Sequence, residues 1–159
     1  MFYLILLTLF AFLYTKASEK HMLCDSSRTK VWYSICDNIN KHSVSASIDP
    51  CTFSQGFKFN FSFSWIPRHD LINLHATVDV WYKSLKVNGN VYILCTGTDD
   101  VYIYCGTLKG ETITLTKEIR FTKIKLEPGV YTIFAQLITV DQEEEIVSLC
   151  VNATLLLKK

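Results

Sequence analysis

The chain has 159 residues, and its 16 lysine and arginine residues nearly balance 15 aspartate and glutamate residues. This near-neutral charge argues against nucleic acid, and against charge-driven membrane binding, as the main partner. Hydrophobic residues make up 49% of the chain, and a single domain of this length can bury a substantial core.

The apolar run from Phe2 to Tyr14 is typical of a secretory leader. It is too short for a comfortable membrane span, and polar sequence follows it. Small residues suited to cleavage occur around Ala17, although no basic residue precedes the run. We therefore expect a signal peptide at 1–17 and one mature domain at 18–159, secreted or held at the cell surface by a partner. A short N-terminal anchor is the alternative.

Alternating apolar and polar residues predict strands along most of the mature chain. The first clear runs are 44–48, 57–65 and 74–82, and Asn88-Gly89-Asn90 is predicted as a hairpin turn. Further strands are predicted at 91–95, 101–105, 112–116, 118–124, 130–139 and 146–157. About nine strands without a helix predict an all-β fold, an immunoglobulin-like sandwich of two antiparallel sheets or an open barrel.

The run 57–65 has a wholly aromatic face, formed by Phe57, Phe59, Phe61, Phe63 and Trp65. Each such side chain buries roughly 150–250 Å², so this face needs a large apolar cover. A second sheet packed directly on it would give a dry core. Two splayed sheets would instead leave an apolar cleft for a lipid, and composition alone does not separate these alternatives.

The mature part contains six cysteines: Cys24, Cys36, Cys51, Cys95, Cys105 and Cys150. An even number in a secreted chain indicates three disulfides. Cys95 and Cys105 flank a short polar stretch and are predicted to pair, whereas the pattern leaves the other four open. Asn60 and Asn152 begin N-glycosylation acceptor motifs, and Asn60 lies on the polar face of its strand.

No motif for a catalytic nucleophile, a zinc site or a phosphate-binding loop occurs in the sequence. The four histidines are scattered, so we expect no enzyme activity, no cofactor and no metal. Charged residues do cluster at Arg68-His69-Asp70, at Asp99-Asp100 and at Lys109-Gly110-Glu111. Preordered charges around a disulfide-stiffened hairpin suit a protein-docking surface, and solvated turns are the alternative.

Two segments identify a family resemblance: 95–112, which reads CTGTDDVYIYCGTLKGET, and 66–71, which reads IPRHDL. They resemble the lipid-recognition (ML) domain family, in particular its secreted co-receptors through which Toll-like receptor 4 senses lipopolysaccharide. The resemblance implies a β-cup, two splayed antiparallel sheets that hold acyl chains between them. It also implies the disulfides Cys24–Cys51, Cys36–Cys150 and Cys95–Cys105.

The resemblance implies three groups of site residues. Lysine and arginine side chains at the rim would receive lipid phosphates, namely Lys58, Arg120, Lys123 and Lys125. The Toll-like receptor 4 ectodomain would contact Arg68, Asp99, Asp100, Lys109 and Gly110. The acyl chains would contact Val44, Ala46, Ile48, Phe61, Phe63, Trp65, Val78, Val80, Tyr104, Ile119, Phe121, Ile124, Leu126, Tyr131, Ile133, Ala135, Leu149, Ala153 and Leu155; Phe57 and Phe59 would lie near the entrance.

Several residues depart from this family pattern. Leu126 stands where the family typically has phenylalanine, and Lys117 stands where an apolar lining residue is expected. Val101 and Gly106 replace charged residues at the docking hairpin. Two rival functions also stay open: a sister co-receptor that partners the RP105 receptor-like protein and shares the Cys-Gly and Lys-Gly-Glu elements, and a lipid or sterol transfer protein of the same fold.

Overall fold

The computed structural model describes residues 19–36, 44–53, 56–97, 102–120, 126–141 and 144–159. Within these ranges no helix is long and apolar enough to cross a membrane. The predicted leader lies outside the described residues. The described ranges form nine strands: β1 (His21–Asp25), β2 (Thr29–Ile35), β3 (Ser45–Asp49), β4 (Lys58–Trp65), β5 (Asn73–Tyr82), β6 (Leu85–Thr96), β7 (Ile113–Arg120), β8 (Gly129–Asp141) and β9 (Glu144–Leu157).

The strands form two antiparallel sheets, which confirms the predicted all-β, two-sheet fold. The large sheet has the order β1-β2-β9-β8-β5-β6, and the small sheet has the order β3-β4-β7. The edge strands β1 and β3 are the only strands from opposite sheets whose Cα atoms come within 8 Å in the described part of the chain. The sheets therefore meet along this closed side, and β6 and β7 are the edges on the opposite, open side.

Three interactions join the sheets along the closed side. A disulfide links Cys24 in β1 to Cys51, just beyond β3. The hydroxyl of Ser26 donates to the carbonyl oxygen of Cys51 at 3.0 Å. The Tyr33 hydroxyl, from β2, donates to the carbonyl oxygen of Val44 at 3.1 Å. Both sheets are thus held together by covalent and polar bonds at one edge.

The structure contains the three disulfides that the resemblance implies. Cys36 is joined to Cys150 and Cys95 to Cys105, besides the bond between the sheets. Cys36–Cys150 bridges a sequence separation of 114 residues. Closing a loop of that length stabilises the fold by about 5 kcal/mol in the chain-entropy model. Each of the six cysteines is bonded, so none is available as a thiol.

Two compact apolar clusters close the ends of the sandwich. The Trp65 end contains Trp65, Leu71, Leu74, Cys95 and Leu149, whose exposed fractions are 1–3%. The Tyr131 end contains Cys24, Val31, Tyr131, Leu155 and Leu157, whose exposed fractions are 4–9%. Because burying a large aliphatic side chain contributes about 1.5–3 kcal/mol, these clusters supply much of the hydrophobic stabilisation.

The predicted turn at Asn88-Gly89-Asn90 is wrong. These residues lie inside β6, and the hairpin turns at Lys83-Ser84, both with positive φ (49° and 67°). Two non-glycine residues at such angles give no clear sequence signal. The reason for glycine at position 89 is a close approach: a Cβ there would lie 2.6 Å from the Cε of Lys86 and 2.8 Å from Oδ1 of Asp79.

Other predicted strand limits also change. The predicted strand at 101–105 is wrong in its described part, because residue 102 lies in a bend and residues 103–105 lie in a turn. The predicted strands at 112–116 and 118–124 correspond to the single strand β7, and 121–125 lie outside the described residues. The strands β1 and β2 were not predicted, although Val31, Tyr33 and Ile35 alternate with polar residues and Trp32 in the way typical of a strand.

Candidate functional site: the apolar inner faces of the two sheets

The inner face of the large sheet is apolar across its central strands β5, β8 and β9, whereas Asn88 and Asn90 make it polar at the edge strand β6. The antiparallel register places Val78 beside Ala135 and Val80 beside Ile133. The next strand continues the same face, with Ala153 beside Ile133. Because side chains alternate between faces, these residues all point toward the small sheet. Small and branched residues in the centre of this face leave room above the sheet.

The small sheet presents a matching apolar face. Phe61 pairs with Ile48 on one side, and Phe63 pairs with Ala46 and Leu115. The rings of Phe61 and Phe63 stack with centroids 6.2 Å apart and planes 17° apart. The opposite face of this sheet is hydroxyl-rich, and the Ser62 and Thr116 hydroxyls lie 3.1 Å apart there. The aromatic face of β4 is therefore turned inward.

The middle of these inner faces is not sealed. Most apolar inner-face residues that belong to neither end cluster are partly exposed, in contrast to the buried residues of the two ends; Tyr33 and Phe59, each 5% exposed, are the buried exceptions. A directly packed sandwich would bury its central residues most deeply. The arrangement is therefore an apolar cup with packed ends and an accessible middle, whose mid-face residues are Ala46, Phe61, Val78, Leu115, Ile119, Ile133, Ala135 and Ala153.

The open side of the cup runs between β6 and β7. The connection from β6 to β7 crosses this side at the Trp65 end, where the Cys95–Cys105 disulfide holds it. Tyr102 and Tyr104 lie in that connection with stacked rings, 5.3 Å apart and 10° between planes. The pKa of Tyr104 is raised mainly by partial burial and, to a smaller extent, by the neighbouring Tyr102 phenol. Access to the cup is thus bordered by aromatic side chains.

The other crossing, from β7 to β8, lies at the Tyr131 end. The hydroxyl of Tyr131 donates to the carbonyl oxygen of Glu127 at 3.0 Å, and the hydroxyl of Tyr82 donates to that of Pro128 at 3.0 Å. The two rings stack, with centroids 4.7 Å apart. Leu126 packs against the cluster at this end. These contacts fix the last part of the crossing.

The structure places all the described lining residues from the sequence analysis together around the cup. They divide into two kinds, because Trp65, Leu149, Tyr131 and Leu155 are at most 6% exposed and belong to the packed ends. Phe121 and Ile124 lie outside the described residues. The others are partly exposed: Val44, Ala46, Ile48, Phe61, Phe63, Val78, Val80, Tyr104, Ile119, Leu126, Ile133, Ala135 and Ala153.

The two remaining aromatics of the β4 run are placed differently. Phe57 precedes β4 and is 48% exposed. Phe59 is only 5% exposed and packs against Phe53, with ring centroids 5.0 Å apart. Sequence reasoning missed Leu115 and Leu137, which lie on the same inner faces. The alternation that identified their neighbours also contained the signal for these two.

The lysine and arginine side chains predicted for the rim lie on the outer face where the structure describes them. Lys58 and Arg120 pair across the end of β4 and β7, beside Glu118. The distances from Glu118 Oε1 are 3.7 Å to Lys58 Nζ and 2.8 Å to Arg120 Nε. The hydrogen bond from Arg120, together with both positive charges, lowers the pKa of the Glu118 carboxyl. Lys123 and Lys125 lie outside the described residues.

Two loops that carry predicted receptor contacts are joined at the Trp65 end. The Gly110 N–H donates to the carbonyl oxygen of Pro67 at 2.8 Å, and the Lys109 N–H donates to the Asp70 carboxylate at 2.8 Å. Arg68 and Lys109 are both exposed. Gly110 has a φ of +87°, which favours glycine. Asp99 and Asp100 lie outside the described residues.

This pair of loops is also tied to the large sheet. The Leu71 N–H donates to the carbonyl oxygen of Thr107, and the Gly106 N–H donates back to that of Leu71, both at 2.9 Å. The hydroxyl of Thr139, in β8, is fully buried and donates to the carbonyl oxygen of Asp70 at 3.0 Å. The exposed charges therefore stand on a rigid base, which lowers the entropy lost when a partner binds.

Comparison with known proteins agrees with this geometry. A family model described as ML domain matches residues 30–157. Lymphocyte antigen 96 of Bos taurus is 31% identical over 149 residues, which cover 94% of this chain and 91% of that protein. Lymphocyte antigen 86 of Mus musculus is 27% identical over 135 residues, or 85% and 80% of the two chains.

A solved structure shows the same fold. The crystal structure of chicken MD-1 complexed with lipid IVa superposes with a TM-score of 0.73 and 22% sequence identity, covering 89% of this chain and 99% of that chain. The resemblance seen in the cysteine hairpin thus extends through both sheets. From the family match over most of its length and the relative above 30% identity, the chain belongs to the ML domain family.

Proposed function

We propose that the protein is a secreted, non-enzymatic lipid-binding co-receptor that holds the acyl chains of lipopolysaccharide between its sheets and presents the lipid to Toll-like receptor 4. The observation that carries this proposal is the partly exposed apolar middle of the cup between two packed ends. Its similarity to Lymphocyte antigen 96 supports the choice of receptor.

The physical basis of binding is transfer of acyl chains from water. Each buried methylene contributes about 0.8 kcal/mol, so one long chain contributes on the order of 10 kcal/mol before ordering costs. The mid-face residues offer only apolar surface to such a chain. Tight binding then needs no reactive group.

The exposed outer faces support a secreted, glycosylated protein. The side chains of Asn60 and Asn152 are both exposed, on the outer faces of the small and large sheets. Glycans at these two positions would stay clear of the cup. Enzymatic deglycosylation should lower the mass of the protein. Asn60→Gln and Asn152→Gln should each reduce this mass loss in part, which tests the two positions separately.

The lipid-binding part is tested by native mass spectrometry of the secreted, deglycosylated protein before and after addition of lipid A. We expect a bound lipid mass that lipid A replaces. A protein that stays bare in both spectra would contradict the proposal, since a dry sandwich has no space for acyl chains.

The receptor part is tested separately, by capture of the protein on immobilised Toll-like receptor 4 ectodomain. The double charge reversal Arg68→Glu with Lys109→Glu should abolish capture and leave the lipid A complex intact. Arg28→Glu reverses an exposed arginine at the Tyr131 end and is the matched control. Unchanged capture of the double variant would refute this docking surface.

The sister co-receptor function is the second candidate. It is favoured by the similarity to Lymphocyte antigen 86. The two functions share the cup and differ in the receptor, so the same capture experiment with the RP105 ectodomain distinguishes them. Capture by that ectodomain alone would assign the protein to the sister function.

A further inference from the structure

One inner-face position of the cup carries a charge. Lys117 lies in β7 directly opposite Phe61, and alternation puts it on the same face as Leu115 and Ile119. An ammonium group therefore projects from an otherwise apolar wall. Because β7 is the edge strand on the open side, the lysine stands at the opening of the cup.

Among the described residues, the surroundings of Lys117 include an aromatic ring and no ion-pair partner. Its Nζ lies 5.9 Å from the ring centroid of Tyr102, in the connection that crosses the open side. In the described ranges, the ion pairs involve Lys30, Lys58, Lys86, Arg120 and His75, and none includes Lys117.

Nearby lysine and arginine residues on β4 and β7 differ from Lys117, because they form ion pairs on the outer face. Arg120 and Lys58, on the outer face, already share the carboxylate of Glu118. An anion that bound there would compete with that carboxylate. Lys117, three residues before Arg120 on the same strand, faces inward and is exposed.

The free-energy cost of a charged ammonium group at this position changes when a ligand binds. Without ligand, its long apolar stem lies along the wall and its charge is solvated at the open side. Acyl chains that fill the middle of the cup displace this water, and a desolvated ammonium without a counter-charge is strongly unfavourable. A ligand that brings its own anionic group to this point removes the penalty and gains a charge-assisted hydrogen bond.

We propose that Lys117 selects acyl lipids that carry an anionic oxygen group, a carboxylate or a phosphate, at the open side of the cup, against neutral lipids of the same chain length. This inference rests on the proposed lipid-binding function and adds a specificity residue to it. The Tyr102 ring limits the positions that the ammonium can adopt, since cation–π contact holds it on the side of the crossing connection.

The experiment measures the charge preference of binding with two fluorescent probes, cis-parinaric acid and its methyl ester. The wild-type protein should bind the acid about tenfold more tightly than the ester. Lys117→Met keeps the length and removes the charge, and should reduce the ratio below about threefold. Lys117→Arg should keep the ratio, as should Lys30→Met, which removes an outer-face lysine of the large sheet.

A competition series separates the two anionic groups. Oleoyl lysophosphatidic acid and monooleoylglycerol share one acyl chain and differ in the phosphate. Preferential displacement of the probe by the phosphate lipid, lost in Lys117→Met, extends the selection from carboxylate to phosphate. Equal displacement by the two lipids restricts the selection to carboxylate.

Two results would overturn the inference while leaving the cup intact: an unchanged acid-to-ester ratio in Lys117→Met, or no preference in the wild type although both probes bind. If neither probe binds to the wild type, the proposed lipid-binding function fails, and the role of Lys117 fails with it. Melting temperatures of all variants exclude misfolding as the cause of a lost ratio.

Discussion

A matched pair of leucine substitutions tests whether the middle of the cup is open. Leu74 is 3% exposed and belongs to the Trp65 end, whereas Leu115 is a partly exposed mid-face residue. Leu→Ala in a sealed core costs about 2–5 kcal/mol, because a cavity remains. At about 3 °C per kcal/mol, Leu74→Ala should lower the melting temperature of the lipid-free protein by roughly 6–15 °C. Leu115→Ala should lower it by only a few degrees.

The same two variants should reverse their order in lipid binding. Leu115→Ala removes three carbon atoms from a wall that acyl chains contact, so at about 0.8 kcal/mol each it weakens binding by up to about 50-fold. Leu74→Ala should weaken binding little at temperatures where it is folded. The assay is calorimetric melting without lipid, followed by cis-parinaric acid titration. Equal destabilisation by the two variants in the lipid-free protein would refute the open middle and indicate a dry, continuous core.

Three further outcomes are expected. Asp70→Asn weakens the hydrogen bond from the Lys109 N–H and should reduce capture on the receptor ectodomain severalfold without changing lipid affinity; equal loss of both would contradict it. Gly129→Ala places a Cβ 2.7 Å from the Tyr82 ring at a φ of 151°, and should lower the free energy of unfolding in urea titration by about 2 kcal/mol. Gly97→Ala is the control and should be neutral, because a Cβ there meets open space. Burial raises the pKa of Tyr33, so its stabilising effect is complete below about pH 10 and is lost as pH rises through the folded pKa; Tyr33→Phe should flatten that alkaline loss of unfolding free energy.

Period-two alternation predicted the inner faces well, because alternation is a local property. The aromatic residues of β4 and the small residues of β8 face each other as the pattern indicated. Alternation also contained the signal for β2, although Trp32 interrupts its polar face.

The predictions that were wrong concern features that depend on contacts between residues distant in sequence. The local sequence around Gly89 does not distinguish a turn from a strand position beneath the Lys86–Asp79 ion pair. The local sequence around Lys83-Ser84 likewise does not require positive φ. The outward direction of Arg120 likewise follows from the register of β7 against β4, which is set by long-range pairing. The support of Lys109 by Asp70 joins two segments 39 residues apart, and only the folded chain reveals it.

The separation of the two packed ends from the accessible middle has a consequence for how this molecule can change. The buried clusters around Trp65 and Tyr131 supply much of the hydrophobic stabilisation, whereas most of the proposed ligand contacts come from residues that belong to neither cluster. The lysine at position 117 is therefore tolerated by the fold, and in its proposed role it alters which lipids the cup accepts. Ligand preference can drift, or be redesigned, one wall residue at a time without a matching loss of foldability.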